Sequence, residues 1–278
     1  DDARALLDGL TLSADELGQL RRAARGAGVG FVVTPFSVAD VDDVAGLGVD
    51  AVKFASPDAV NRPLLDAAAG LGRLMLISTG TCGLDELEHA AAHAAGSGGA
   101  LLQCVSSYPT PDGAAALGGI AALRQRFASG GGAALRVGYS DHTASRDTGA
   151  LAVAAGACLL EKHLTHDRTA KGPDHAASIE PAEMEQYIAA ARRAAVMVGP
   201  IAKTCGDLER DVRRVARQSV CTVRDLPAGH VLGRGDLTVK RPGSGWPAGR
   251  LGELIGRTLV RGVRGDVPLR ADDVGLSK

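Results

Sequence analysis

Short apolar runs alternate with longer amphipathic stretches over the first two hundred or so residues. The runs are Val29–Phe36, Val49–Ser56, Leu74–Thr79, Ala100–Val105, Leu135–Tyr139 and Cys158–His163. They are continuous rather than alternating, the signature of strands covered on both faces in a parallel sheet. Helices are predicted between them, over Val38–Leu47, Asn61–Leu71, Leu84–Ala95, Ala114–Phe127 and Ala144–Ala155. Ser13 with Glu16 forms a capping box that opens an earlier helix ending near Gly28, and Ser37 can cap the helix that follows the first strand. A longer helix starts at Glu180-Pro181 and runs to Val198. About six βα units result, whereas a closed (β/α)₈ barrel needs eight and roughly 250 residues. An open doubly wound sheet also fits this count.

The pattern changes after Gly199-Pro200. Residues 200–217 are charged and read as a linker with a short helix. Residues 218–278 hold short strands, Gly and Pro turns, repeated basic residues and a short helix near Ala248–Ile255. The expected domains are therefore 1–199, a linker at 200–217, and a small β-rich module at 218–278.

Composition narrows the function classes. The 278 residues are 45% hydrophobic and 23% charged, with a net charge of -1, so neither a nucleic acid nor a membrane surface is implied as a partner. No apolar run of transmembrane length and no signal-peptide pattern occur, and a cytoplasmic location is expected. Aromatic residues make up only 3%, so the core must be packed from small aliphatic side chains. Five cysteines, at 82, 104, 158, 205 and 221, form no C-x-x-C pair and read as reduced structural thiols.

The stretch from Gly138 to Ser178 carries the densest chemistry. Ser140-Asp141-His142-Thr143 and Glu161-Lys162-His163 each end an apolar run, with one helical segment between them. Carboxyl ends of successive parallel strands converge on one mouth, so His142 and His163 should face each other there. Two imidazoles suit a borderline divalent metal better than a hard, oxygen-seeking one. Lys53, Ser56, Ser78, Ser106 and Ser140 also fall at strand ends and offer the cation and hydroxyls that suit a phosphate. Asp58 and Glu161 add carboxylates for proton handling or for orienting a polyhydroxylated substrate such as a sugar. Gly172-Pro173-Asp174 is a loop that would bring Asp174 beside the metal. His89 and His93, an i, i+4 pair among alanines, read as a solvated helix face rather than a second metal site.

These motifs resemble the sialic acid (N-acetylneuraminate) synthase family. The resemblance rests on Thr34-Pro35-Phe36, Lys53-Phe54-Ala55-Ser56, Asn61-Arg62-Pro63-Leu64-Leu65, Ser78-Thr79-Gly80, Ser106-Ser107-Tyr108-Pro109, the two histidine motifs, Gly172-Pro173-Asp174-His175 and Lys240-Arg241-Pro242-Gly243. Residues 218–278 are similar to the antifreeze-like (SAF) module of that family. The resemblance implies a TIM barrel that condenses phosphoenolpyruvate with an N-acetylated amino sugar aldehyde and releases phosphate. It implies a divalent ion on His142 and His163, manganese first, with magnesium or cobalt as alternatives. It implies that Lys53, Ser56, Ser78, Ser106 and Ser140 bind phosphoenolpyruvate, that Tyr108 and Asp174 contact the sugar, and that Asp58 and Glu161 lie near the reacting carbons. Arg241 would reach the sugar from the neighbouring subunit of a domain-swapped homodimer.

Nothing before Val29 resembles the first two βα units of the family barrel, which bring a Glu, a Lys and a Gln. The expected architecture is thus a barrel lacking those two units, as in a fragment or one half of a split protein. Two further readings stay open. One is a non-catalytic or split-subunit relative that binds sugar and phosphate ligands without turnover. The other is a different metal-assisted aldolase or synthase, against which the Lys240-Arg241-Pro242-Gly243 module argues. The acceptor sugar is not specified by these residues.

Overall fold

The computed structural model describes residues 10–128 and 135–275. The chain divides into two compact units, Asp1–Gly199 and Pro200–Lys278.

The first unit is a six-stranded, all-parallel sheet in sequential order, flanked by helices. The strands are β1 (Val32–Val33), β2 (Ala51–Phe54), β3 (Leu74–Ser78), β4 (Ala100–Cys104), β5 (Arg136–Asp141) and β6 (Leu160–Lys162). The helices are α1 (Ala14–Gly26), α2 (Val38–Leu47), α3 (Arg62–Ala69), α4 (Glu88–Gly96), α5 (Gly118–Phe127), α6 (Thr148–Ala154) and α7 (Pro181–Val198). This is the expected barrel-type α/β sheet with six of eight βα units, curled as a half-barrel rather than an open doubly wound sheet.

Alternation along each strand sorts the side chains. Val52, Phe54, Met75, Ile77, Leu101, Val137 and Tyr139 point outward into one core with Val44, Leu64, Leu65, Ala90, Ile120 and Leu123 of the helices. The intervening residues face the concave side. There a largely apolar hollow of about 720 Å³ is lined by Val32, Leu76, Leu102, Leu160, Tyr187 and Ile188, among others.

Local chemistry explains the boundaries. The predicted capping box of Ser13 with Glu16 is present, and the predicted Ser37 cap is the start of a second box, closed by the Asp40 side chain. The first strand is shorter than the apolar run Val29–Phe36 predicts. It lies at the sheet edge and pairs only with β2 among the described residues, through Val32↔Ala51 and Val33↔Val52. Phe31 N–H donates to the Asp50 carboxylate instead of to a strand, and Pro35 has no N–H to give. The helix predicted from Ala144 starts at Thr148. Thr143 and Ser145 accept backbone N–H bonds from residues two positions on, and these turns compete with helix. The helix predicted from Ala114 starts at Gly118, after a 3₁₀ turn over Asp112–Ala114 and left-handed Ala116.

The second unit holds α8 (Arg210–Ala216) and an antiparallel pair, β7 (Ser219–Thr222) with β8 (Leu237–Lys240). Its core packs Val220, Leu226, Leu237, Trp246, Leu254 and Leu269. The short helix predicted near Ala248–Ile255 is a 3₁₀ segment, Ala248–Leu254. No described helix is long and apolar enough to cross a membrane.

Candidate active site

The carboxyl ends of the strands bring eight of the twelve candidate residues into one cavity. Lys53, Ser56, Ser78, Tyr108, Ser140, His142, Glu161 and His163 line it, with Thr34, Phe36, Ala55 and Pro57. Strand register accounts for much of this, because Lys53 pairs with Leu76, Ser78 with Leu102, Cys104 with Ser140, and Ser140 with Glu161.

Lys53 is the buried cation of the group. Its Nζ donates to Phe54 O at 2.6 Å and to Ser78 Oγ at 2.7 Å, and lies 3.4 Å from Glu161 Oε2. Burial pushes the ammonium pKa below the ordinary lysine value, and Glu161 only partly offsets this. An anion entering the cavity would supply what the burial takes away. Ser78 Oγ in turn donates to Glu161 Oε2 at 3.3 Å, so Lys53, Ser78 and Glu161 form one linked set.

Ser56 is held by Gly80. The Gly80 N–H donates to Ser56 Oγ at 3.0 Å, and Ser56 Oγ faces Cys104 Sγ at 3.3 Å. A Cβ on residue 80 would fall 2.8 Å from Ser56 Oγ and 2.4 Å from Ser106 Oγ, so any larger residue would push both hydroxyls aside. This places Ser106 against the site's wall, although its side chain is not part of the cavity lining.

The two histidines stand edge to face, with ring centroids 5.2 Å apart and an interplanar angle of 87°. The Tyr108 ring lies against both, at 4.1 Å from His142 and 5.6 Å from His163. His142 Nδ1 is 2.8 Å from the Val105 carbonyl, which can only accept, so Nδ1 carries the proton and Nε2 is left as the donor atom for a ligand. His163 Nδ1 lies 3.8 Å from Asp174 Oδ2. Burial, reinforced by the charge of His142, pushes the His163 pKa down and favours the neutral imidazole that a metal needs. Burial also acts to lower His142, but hydrogen bonding to Cys104 and Val105 outweighs it and raises the pKa. One imidazole biased to the neutral form and a second whose Nδ1 is tied to a carbonyl, so that Nε2 faces outward for a ligand, fit a borderline divalent ion.

A second polar layer holds these motifs in place. Lys162 and Asp141 form an ion pair of 3.1 Å whose side chains are 3% and 0% exposed. Asp141 Oδ1 accepts from Thr143 N at 2.9 Å and Thr143 Oγ1 at 2.8 Å, and Oδ2 accepts from Tyr187 OH at 3.0 Å. Tyr187 reaches this carboxylate from α7 because Gly149 of α6 has no side chain, and a Cβ there would fall 2.3 Å from the tyrosine ring. The network ties the residues flanking His142 and His163 to one another and to α7.

Three further candidates are outside the cavity lining. Asp58 is half-buried in the 3₁₀ turn Ser56–Val60, where it accepts from Asn61 Nδ2 at 3.2 Å, and it does not line the cavity. Asp174 has a largely exposed side chain beside His163. Arg241 belongs to the second unit, exposed between β8 and Pro242. Cys104, expected as a structural thiol, instead contacts Ser56 and lies 3.7 Å from His142 Nδ1. The Asp141–Lys162–Tyr187 network was not expected either. The strand-end position of Cys104 was the only signal available for the first, and nothing local signalled the second.

A parallel half-barrel with a cation, hydroxyls and two imidazoles at its carboxyl mouth has the layout of a barrel enzyme. Residues 2–203 match the NeuB family model and residues 217–275 match the SAF domain. The chain therefore belongs to the NeuB family and carries a SAF domain. It is 32% identical over 252 residues to N,N'-diacetyllegionaminic acid synthase of Campylobacter jejuni, covering 89% of this chain and 74% of that protein. Its structure is similar to that of a Chromobacterium violaceum protein assigned to spore coat polysaccharide biosynthesis. The TM-score is 0.79 and the identity 26%, over 95% of this chain and 79% of the other. It is also similar to N-acetylneuraminic acid synthetase from Leptospira borgpetersenii in complex with citrate. There the TM-score is 0.70 and the identity 31%, over 76% of this chain and 73% of the other.

Proposed function

We propose that this chain is a nonulosonate synthase that condenses phosphoenolpyruvate with an N-acetylated amino sugar aldehyde. The observation that carries the reading is the meeting of Lys53, Ser56, Ser78, Ser140, Glu161, His142 and His163 around one cavity. The similarity to legionaminic and neuraminic acid synthases supports it.

In this reading Lys53 and the Ser56, Ser78 and Ser140 hydroxyls bind the phosphate and carboxylate of phosphoenolpyruvate. His142 through Nε2, together with His163, would hold a divalent ion, with Asp174 beside the latter. When bound, the ion supplies Lewis-acid polarisation of the aldehyde oxygen. C3 of the enol forms a bond to the aldehyde carbon, and the aldehyde oxygen takes a proton. Water adds at C2, and the bond between C2 and the bridging oxygen breaks, so that inorganic phosphate leaves with that oxygen. Glu161, coupled to Ser78 and Lys53, is positioned to take the proton the water gives up. Tyr108 orients the sugar against the imidazoles. Burial raises its phenol pKa, which keeps the hydroxyl a donor.

A second reading, ligand binding without turnover, is favoured by the position of Asp58, one of the two candidate catalytic carboxylates, outside the cavity lining. The deciding assay follows phosphate release from phosphoenolpyruvate with manganese and a panel of acceptors: N-acetylmannosamine, its 6-phosphate and diacetamido hexoses. Acceptor-dependent phosphate, matched one to one by a 2-keto acid product, is expected. Phosphoenolpyruvate binding without product under every acceptor would favour the second reading. The two-fold dimer in which Arg241 serves a second copy is part of the same proposal. Mixing His163→Ala with Arg241→Ala subunits tests it, because activity returns only if Arg241 acts in trans.

A further inference from the structure

Away from the cavity, α3 and α4 bring three metal-ligating atoms to one point. His89 and His93 are four residues apart on α4, so their rings share one face of that helix. Asp66 comes from α3, the preceding helix of the outer layer. His89 Nε2 lies 2.9 Å from Asp66 Oδ1, His93 Nε2 lies 2.7 Å from the same oxygen, and the two Nε2 atoms are 3.2 Å apart. None of the three lines the catalytic cavity.

Hydrogen bonding alone accounts poorly for this triangle. Asp66 Oδ1 can accept from both rings, but the two ring nitrogens then bring their N–H groups together at 3.2 Å. If either nitrogen is unprotonated, its lone pair faces an oxygen lone pair. A cation resolves both conflicts. A triangle with these sides has a circumradius of about 1.7 Å, so a point about 1.1 Å above its plane is about 2.05 Å from all three atoms. That is the Zn–N and Zn–O bond length. Two ligands of a tetrahedral ion with such bonds stand roughly 3.3 Å apart; the 3.2 Å edge matches this, and the 2.9 and 2.7 Å edges would open by about half an ångström on metal binding.

We propose that Asp66, His89 and His93 form a surface site for a borderline divalent transition metal, zinc first, that clips α3 to α4. Two imidazoles and one carboxylate oxygen select zinc, cobalt, nickel or copper over magnesium and calcium, which prefer all-oxygen shells. The Asp66 side chain is 58% exposed, and those of His89 and His93 are 30% and 21% exposed. Ions therefore have a solvent path, and water can complete the fourth position. The site is separate from the pair His142 and His163, and the proposal holds whether or not that pair binds metal. The reading of His89 and His93 as a bare solvated face lacked the third ligand, which comes from another helix and has no sequence signal.

The test is zinc titration of the metal-stripped full chain by calorimetry, comparing wild type with His93→Ala and Asp66→Asn. Wild type is expected to bind one more equivalent of zinc than His93→Ala, and Asp66→Asn to bind the same equivalent at least ~10-fold more weakly, because the carboxylate that touches the ion loses its charge. Far-ultraviolet circular dichroism of the metal-free proteins checks that the variants fold. If His93→Ala does not fold, His93→Gln and Asp66→Asn carry the comparison. Anomalous diffraction at the zinc edge should give a peak bounded by the three side chains. Equal zinc stoichiometry and affinity in wild type and variants, or no anomalous peak there in zinc-soaked crystals, would overturn the site.

Discussion

Replacing Lys53 by Met separates a ligand-binding cation from a structural one. Met keeps most of the aliphatic stem and removes the charge. The Lys53 side chain is 11% exposed, and its partners are Phe54 O, Ser78 Oγ and Glu161. Glu161 is itself 34% exposed, so the variant leaves it partly hydrated rather than stranded. Removing the buried ammonium also relieves the desolvation that depresses its pKa. These effects oppose each other, and the expected stability change is within about 1 kcal/mol. The ligand loses a charged hydrogen bond worth roughly 1.5–3 kcal/mol, or about 10- to 150-fold in affinity. Calorimetry of phosphoenolpyruvate binding in the presence of manganese, set beside the thermal midpoint, reads both quantities. Unchanged affinity with a midpoint several degrees lower would show that Lys53 only pairs with Glu161 and binds no ligand.

Other outcomes follow from the same geometry. Lys53 deprotonates below the ordinary lysine value because of its burial, so phosphoenolpyruvate affinity should fall as pH rises through that depressed pKa. Binding curves taken from neutral to alkaline pH check this, and Lys53→Arg should remove the dependence. His142→Ala and His163→Ala should each weaken manganese binding at least ~10-fold, read by calorimetry or by electron paramagnetic resonance of free manganese. Lys162→Met should cost about 3–5 kcal/mol in urea unfolding, because it leaves the fully buried Asp141 carboxylate without its cation. A loss under 1 kcal/mol would mean that Asp141 becomes protonated or reaches water.

Much of this architecture was legible because local chemistry and tertiary structure agree. Ser37 with Asp40, and the apolar run at β2, specify their elements alone, and the helix over Val38–Leu47 has its predicted bounds. The polar residues at strand ends were conspicuous for a physical reason: a Lys or Glu on a doubly covered strand demands a partner or a ligand. What escaped depends on chain segments far apart in sequence. The carboxylate of Asp141 meets Tyr187 only because α7 folds back over Gly149. Asp66 meets His93 only because α3 and α4 are neighbours in the outer layer. The shortness of β1 reflects its edge position and the competing bond from Phe31 to Asp50, neither of which hydrophobicity records. Asp58 had the right residue type near the right strand, yet the 3₁₀ turn keeps it out of the cavity lining.

In the proposed function the anion and metal sites share one cavity at the mouth of the half-barrel. A crystal structure of the chain with phosphoenolpyruvate and manganese tests it most directly. The phosphate or carboxylate is expected within hydrogen-bonding distance of Lys53 Nζ and Ser78 Oγ, with an anomalous manganese peak bonded to His142 Nε2 and to His163. Phosphoenolpyruvate bound elsewhere, or manganese bound without either histidine, would contradict it.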